Sequence, residues 1–487
     1  MTLAAVLTTT VVVLEYALKI FAIGTVPENR RPAASSAWLL LILFVPVVGF
    51  PLYWLIGSPY VSGRRHVVQQ RANQVLADRK DLWPVMPEGA DPDRTLASVL
   101  AMNQRLTGLP CVSGAHEQTY PDTGDYFAAI AEAIDDAREY VHVEFYIVCW
   151  DEATDVVFEA MRRAASRGVE VRLLLDHLGS RKYPGRKQLG PRMTEAGIDW
   201  HLMMPIDPLK GRWRRPDLRN HRKLVVVDGE RAFLGSHNLI APSYGSTKNA
   251  EMGRAWSDVS LQVSGDIVTS VSVVFATDWY TETGELLDVE RYFADQPDQP
   301  AGGRGHAMQL VPSGPGYATE PNLRLFTALI HGATDRVAIT SPYFVPDEAL
   351  LAAITSASYR GVQVELFVGE KADQFLVGHA QRSYYAALLD AGVTIHLYPA
   401  PTVLHGKYFT VDGRVAMIGS SNMDFRSFAL TSEIMLLAFG GDLVERLERN
   451  DADYRAVSRV LTVEEWSARS WREKYVDNVC RLTAALM

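Results

Sequence analysis

Cysteine is scarce in this chain: three residues in 487, Cys111, Cys149 and Cys480, lie far apart and form no Cys-x-x-Cys pair. That argues against a disulfide framework and a thiolate zinc site, and it fits a reducing compartment. A basic excess is missing too. Lysine and arginine number 48 against 57 aspartates and glutamates, a formal net charge of -9, whereas a dedicated nucleic-acid binder carries a basic domain or stripe. Nucleic acid is therefore not an expected partner. No His-rich or carboxylate-rich ligand set stands out, so neither a metal nor another cofactor is expected. The N-terminus has no basic opening and no clear small-x-small cleavage site before its second apolar stretch, which speaks against a cleaved signal peptide.

Apolar residues are plentiful, 48% of the chain, and some are concentrated at the start. Residues 37–56 (AWLLLILFVPVVGFPLYWLI) carry no charge and have the length of a membrane-spanning helix. Pro46 and Pro51 are expected to kink it, while Trp38, Tyr53 and Trp54 suit the interfacial belts. Residues 3–23 form another apolar segment, interrupted by Glu15 and Lys19, which are spaced to pair on one helix face. Residues 1–58 are thus expected to be a membrane anchor of two hydrophobic segments, multi-pass in the cell membrane. Flanking charge orients it poorly, because Arg30 and Arg31 lie between the segments and Arg64, Arg65 and Arg71 follow them. The cysteine usage places the body in the cytoplasm. Residues 59–109, with a Pro-rich break from Pro84 to Pro92, read as a juxtamembrane surface linker able to lie on anionic lipid.

Two polar clusters organise the rest. His221-Arg222-Lys223 runs to Asp228-Gly229, then Gly235-Ser236-His237-Asn238; His405-Gly406-Lys407 runs to Asp412-Gly413, then Gly419-Ser420-Ser421-Asn422. Both are His-x-Lys-x4-Asp followed, at the same interval, by Gly-Ser-x-Asn. The elements before them repeat as well. Strand-like runs at 140–148 and 337–345 lead to helical patterns at 156–167 and 348–359, then to Gly168 and Gly361, strands 169–175 and 362–368, helices ending near Gly197 and Gly392, and strands 198–203 and 393–398. Shared landmarks in shared order predict an α/β fold of two tandem homologous halves, residues 110–294 and 306–462, each a mixed β-sheet covered by helices. Residues 295–305 have the Pro/Gly composition of a linker. Residues 463–487 read as a C-terminal helix that either lies on a membrane surface or packs on the body.

The halves differ in one respect. From Gly197 to His221 is 24 positions and from Gly392 to His405 is 13, and the extra residues include Lys210, Arg212, Trp213, Arg214, Arg215 and Arg219, opposed only by Asp217. The phosphate headgroups of anionic lipid are the expected partner of this basic loop, with Arg214, Arg215 and Arg219 as contacts.

Each cluster offers an imidazole, an ammonium, a hydroxyl and an amide at one strand edge. Two juxtaposed sets can hold a phosphodiester: Lys223, Lys407, Ser236, Asn238, Ser420 and Asn422 on its non-reacting oxygens, one imidazole attacking phosphorus and the other protonating the leaving oxygen. Lysine supplies the positive charge a metal would bring. An attacking imidazole needs its other nitrogen oriented by a carboxylate. Asp258, in Trp256-Ser257-Asp258, is the expected partner in the first half and Glu433, in Thr431-Ser432-Glu433, in the second. Asp228 and Asp412 precede glycine and are expected to cap or salt-bridge at turns. His237 is expected to be a packing or substrate-contact residue.

At these residues the chain closely resembles the phospholipase D superfamily, whose duplicated signature is this pattern. More narrowly it resembles the bacterial cardiolipin synthase family, through Arg30-Arg31-Pro32, Arg219-Asn220-His221, Asp278-Trp279, Ser313-Gly-Pro-Gly316, Thr340-Ser-Pro-Tyr-Phe-Val-Pro346 and Asn422-Met-Asp424-Phe-Arg426-Ser427. The resemblance implies two lobes with the active site at the interface between halves. It implies catalysis by His221, Lys223, Asp228, His405, Lys407 and Asp412, with His221 as nucleophile and His405 as general acid and then base. It further implies transfer of a phosphatidyl group from phosphatidylglycerol to histidine, releasing glycerol, and on to a second phosphatidylglycerol. The alternative is the same chemistry with water as acceptor, a phospholipase D-type hydrolysis. A homodimer is left open.

Overall fold

The computed structural model describes residues 3–28, 32–57, 67, 71, 90–207, 212–213, 215–288, 306–317 and 319–482. Most of residues 59–89, the proposed linker 295–305, and Lys210 and Arg214 of the basic loop lie outside the described residues.

Fifteen strands form one continuous path. They are β1 (Cys111–Tyr120), β2 (Tyr140–Phe145), β3 (Glu170–Asp176), β4 (Asp199–Met203), β5 (Lys223–Val227), β6 (Arg231–Gly235), β7 (Ser260–Ser264), β8 (His306–Ser313), β9 (Arg336–Thr340), β10 (Gln363–Gly369), β11 (Thr394–Tyr398), β12 (Tyr408–Val411), β13 (Val415–Gly419), β14 (Thr431–Phe439) and β15 (Arg459–Val460). Their order is β15-β11-β10-β9-β12-β13-β14-β8-β1-β7-β6-β5-β2-β3-β4. From β4 to β1 the pairings run parallel, parallel, then antiparallel to the end. From β11 to β8 they run in the same sequence. An antiparallel pairing of β1 with β8 joins the two runs, so the two separate sheets expected from the sequence are one.

The strand pleat decides what each face buries. Leu224 and Val226 enter one apolar cluster with Val271, Phe275 and Trp279 of the helix Ile267–Thr283. Val225 and Val227 enter another with Phe127, Ile130, Phe158 and Met161, on the helices Thr123–Asp136 and Asp155–Ser166. Successive side chains point to opposite faces, so a run of four apolar residues needs cover on both sides, and helices supply it. On the other run the helices Pro321–Gly332 and Glu348–Tyr359 cover one face and Asp442–Val457 the other; Glu348–Tyr359 is capped by Asp347, whose carboxylate accepts from the Leu350 amide at 2.9 Å. The glycine landmarks are left-handed residues after helices: φ is 89° at Gly168 and 92° at Gly361, where a side chain would be strained.

The N-terminal region has one unbroken apolar helix where two spanning segments were expected. Leu3–Thr25 is one unbroken helix, α1, and its portion Val6–Thr25 is the one helix among the described residues long and apolar enough to cross a membrane. Glu15 and Lys19 pair within it at 2.6 Å. Residues 37–56 instead break at Val45 (φ -133°, ψ 63°) into α2 (Pro32–Phe44) and α3 (Pro46–Leu52), followed by a π-turn at Tyr53–Gly57. Proline at 46 has no amide hydrogen and keeps its predecessor out of the helical region. Gly49 then lies against the backbone of Leu41 and Ile42, and Trp38, Leu39, Phe50 and Tyr53 pack around Ala22, Val26 and Ile42. A second full span is therefore not formed by the described helices.

The surface linker expected to run to residue 109 ends sooner. Arg94–Thr107 is a helix capped by Asp93, and its Leu96, Val99 and Leu100 are buried against the helix Pro321–Gly332 and β8.

Candidate active site

Two short parallel bridges cross between the strand runs. Arg219–Asn220 pairs with Thr431–Ser432, and Trp256–Ser257 with Val403–Leu404. The register continues one residue further: the His221 amide donates to the Ser432 carbonyl at 2.8 Å and the His405 amide to the Ser257 carbonyl at 2.7 Å. Parallel neighbours in register project side by side, so His221 is delivered beside Glu433, and His405 beside Asp258. This exchanges the expected partners. His221 Nδ1 lies 3.1 Å from both oxygens of Glu433, and His405 Nδ1 lies 2.6 Å from Asp258 Oδ1. Each carboxylate comes from the other run because the bridges, not the hairpins that follow each cluster, set the neighbours.

A carboxylate only accepts, so each Nδ1 carries the proton and each neutral ring keeps its lone pair on Nε2. Burial pulls His221 down to about 4, against the opposing pull of Glu433. Burial likewise lowers His405, with Asp258 opposing. Burial alone would raise the two carboxyls. His221, with Lys223 and the Ser420 hydroxyl, holds Glu433 below its usual range, and His405, with His237 and Lys407, holds Asp258 well below. The resting site therefore holds two neutral imidazoles on two ionised carboxylates.

Lys223 Nζ donates to the His221 carbonyl at 2.5 Å and Lys407 Nζ to the His405 carbonyl at 2.7 Å. Burial lowers Lys223 to about 7 and Lys407 to about 8, opposed in each case by Glu433 and Asp258. An arriving anion would restore both charges.

His221, His405, Asn238 and Asn422 line a single cavity of about 1120 Å³. The Asn238 amide accepts from the Ile147 amide at 3.2 Å and donates to the Tyr244 hydroxyl at 2.8 Å. The buried Asn422 Oδ1 has no hydrogen-bond partner among the described residues.

The two serines stand elsewhere. Ser236 Oγ exchanges hydrogen bonds with the backbone of Val259, and Ser420 Oγ donates to Glu433 and accepts from the Ile434 amide. Both hydroxyls are consumed behind the histidines rather than offered to a phosphate. Gly235 and Gly419 permit this, since a Cβ at either would collide with the backbone of Ser260 or Ile434.

Asp228 and Asp412 are turn braces remote from the cavity lining. Asp228 accepts from the amides of Arg138, Glu139 and Tyr140 at 2.8–2.9 Å, and Asp412 from those of Thr334, Asp335 and Arg336 at 2.8–2.9 Å. Each fastens the start of the strand that flanks its own cluster, β2 or β9.

The basic loop is less free than its charge suggested. Arg219 is buried, 3.4 Å from Asp176, and donates to the carbonyls of Met204 and Arg215. Arg215 pairs with Asp217 at 2.6 Å and donates to the Ile56 carbonyl at 2.7 Å, tying the loop to the end of the N-terminal region. Arg219 reaches the cavity wall and Arg215 does not.

Arg222, where the second cluster has Gly406, forms a buried ion pair with Asp278 and donates from Nε to the Glu433 carbonyl at 3.1 Å. It fixes the backbone of the residue that orients His221. His237 is a packing residue, stacked on Tyr126 at 4.7 Å and bonded to Ser260 Oγ at 2.8 Å.

Several lining residues escaped the sequence reading. Tyr146 stands edge-on to His221 at 4.9 Å, and Tyr244 and Tyr343 edge-on to His405 at 6.3 and 6.4 Å. Lys182, Arg254 and Arg426 add positive charge to the wall. Tyr343 and Arg426 lie inside motifs that carried the family resemblance, which was the available signal.

Comparison with known proteins gives a consistent picture. Residues 130–279 and 326–451 match the family described as "Cardiolipin synthase, PLD-like domain", and residues 17–58 match "Phospholipase_D-nuclease N-terminal". Cardiolipin synthase A of Proteus mirabilis (strain HI4320) is 32% identical over 467 residues, 94% of each chain. Cardiolipin synthase of Geobacillus kaustophilus (strain HTA426) is 32% identical over 464 residues, 94% of this chain and 90% of that one. The crystal structure of phosphatidylserine synthase from Haemophilus influenzae Rd KW20 superposes with a TM-score of 0.58 at 16% identity, covering 80% of this chain and 99% of that one, and so shares the fold.

Proposed function

The chain belongs to the cardiolipin synthase family of phospholipase D-like proteins, and from that premise we propose that it makes cardiolipin from two phosphatidylglycerol molecules, releasing glycerol. The observation that carries this reading is the placement of both histidines on one cavity, each with Nδ1 on a carboxylate from the opposite strand run. The chain is then two homologous halves, residues 110–294 and 306–462, with the active site between them; the repeated strand order supports this.

In the first step His221 Nε2 attacks the phosphorus of phosphatidylglycerol. The P–O bond to the glycerol headgroup breaks, and His405, which takes up a proton on Nε2 as the phosphodiester's negative charge enters the cavity, gives that proton to the leaving oxygen. In the second step His405 takes the proton of a terminal hydroxyl on another phosphatidylglycerol as that oxygen displaces the imidazole. The P–N bond breaks and cardiolipin leaves. The 2.6 Å bond from His405 to Asp258 suits a ring that must hold a positive charge, and His221 is the more exposed of the two rings, at 15% against 6%. Asn238 and Asn422 on the cavity wall, with Lys223 and Lys407 behind the two histidines, are the groups assigned to the non-reacting oxygens. Bond broken and bond formed are alike, so no energy source is needed.

The Val6–Thr25 helix anchors the protein in the membrane, and the cytoplasm is the side that suits three buried cysteines of which none is in a disulfide. Purified protein with phosphatidylglycerol vesicles is the test. Cardiolipin and glycerol should appear in equal amounts, and His221→Ala should abolish both. Phosphatidic acid in place of cardiolipin would establish hydrolysis instead, and full activity in His221→Ala would overturn the mechanism.

A further inference from the structure

The C-terminal helix Trp471–Arg481 does pack on the body, and it leaves one apolar face outside. Its inner face is fixed: Asp477 pairs with His379 at 2.7 Å, and Cys480 is buried with Ala380, Tyr384 and Val345. Trp471, Tyr475 and Val479, with Leu482 just beyond, follow i, i+4, i+8, i+11 spacing and fall within an arc of about 80° on the opposite side. All four are exposed, Trp471 at 72% and Leu482 at 83%. Arg472 borders this stripe on one side and Lys474 and Arg481 on the other, the arrangement of a helix seated in a lipid interface.

The inner face adjoins an element of the cavity wall. The helix Phe375–Arg382 packs directly on Trp471–Arg481. Its Leu376 and Val377 line the cavity that holds the histidines, while Phe375 beside them is 67% exposed. Across the cavity, Arg219 on the wall donates to the Arg215 carbonyl, and Arg215 donates to the carbonyl of Ile56. The cavity wall is thus tied through Arg219 and Arg215 to the end of the N-terminal membrane region and through Phe375–Arg382 to the helix that carries this apolar, basic-edged face.

We propose that Trp471, Tyr475, Val479 and Leu482, with Phe375 and Leu376, form a second membrane-contact surface that seats in an anionic leaflet and holds the cavity mouth against it. The identity of the surface rests on the lipid substrate proposed above. The contact itself does not depend on turnover. A diacyl substrate reaches the cavity without leaving the leaflet when the rim is apolar on both sides, and the flanking Arg472, Lys474 and Arg481 complement anionic headgroups.

The full-length protein carries its test in one thiol. Tyr475→Cys is labelled with bimane, the native cysteines being buried, and reconstituted in phosphatidylcholine–phosphatidylglycerol vesicles with brominated acyl chains. Bromolipid should quench this label and leave one at Arg449→Cys, on the exposed surface of another helix, unquenched. The triple variant Trp471→Asp, Tyr475→Asp, Leu482→Asp should raise the apparent KM for phosphatidylglycerol in mixed micelles about tenfold with kcat within about twofold, the pattern of lost binding without lost chemistry. An unquenched label overturns the proposal. So does a triple variant that dissociates a dimer at unchanged KM, which would mean that a second copy covers the face. Quenching in a protein that makes no cardiolipin would uphold the contact and reject the reaction.

Discussion

Replacing Glu433 by glutamine removes one charge and little volume, and the consequence can be worked from the geometry. The carboxylate lies 3.1 Å from His221 Nδ1. A unit charge pair at that distance and an effective dielectric of about 20 interacts by about 5 kcal/mol. The imidazole carries a proton on Nδ1 throughout and gains positive charge only as Nε2 bonds to phosphorus. If about half of that charge has developed at the transition state, the loss is about 2–3 kcal/mol, or about a hundredfold in rate. Glutamine also presents an amide to the hydroxyls of Ser420 and Thr431, which now donate to the carboxylate. Single-turnover glycerol release should therefore slow about a hundredfold in Glu433→Gln, with phosphatidylglycerol binding nearly unchanged. The crossing of partners has its own readout in the ring nitrogen resonances: Glu433→Gln should perturb those of His221 and Asp258→Asn those of His405. If Asp258→Asn moved the His221 signals and Glu433→Gln did not, the bridges that exchange the carboxylates would be wrong.

Asp228→Ala leaves three backbone amides without their acceptor, at a cost of about 1–3 kcal/mol discounted for partial exposure. The thermal midpoint should fall while kcat stays within a few-fold, since Asp228 lies away from the cavity. The acid response of stability tests the buried histidines. Burial lowers His237 from 6.5 to about 4, so below pH 6.5 the unfolded chain binds a proton that the folded one refuses. Stability falls as pH drops through the window from 6.5 to about 4, by about 2 kcal/mol between pH 7 and 5 from this residue. His237→Phe, which keeps the stack on Tyr126, should flatten that dependence in denaturant titrations; an unchanged slope would place the acid sensitivity elsewhere.

Much of the architecture was legible because it repeats. Alternating apolar runs of four to seven residues, each followed by a helix and a glycine, are strong local signals, and duplication reinforces them; the helix 348–359 lies where its pattern put it. The paired His and Lys residues were equally visible. The carboxylate partners were identified as residues but assigned to the wrong histidines. The parallel bridges at 219–220 and 256–257 that decide the matter are two residues long, too short to leave any periodicity. Charge counting misjudged the basic loop for a related reason: Asp176, far away in sequence, reaches Arg219 only in the fold. Hydropathy read residues 37–56 as one kinked span because a window average does not register that one proline can break a helix. The serines looked available because composition does not reveal that Val259 and Glu433 lie behind them.

The most direct measurement is to catch the covalent intermediate. Enzyme turning over phosphatidylglycerol is quenched within one turnover, and its peptides are analysed by mass spectrometry. A phosphatidyl group on the peptide containing His221, absent in His221→Ala and accumulating when enzyme exceeds phosphatidylglycerol, is the expected result. A phosphatidyl group on His405 would reverse the two roles, and steady turnover with no adduct on either histidine would contradict the two-step transfer.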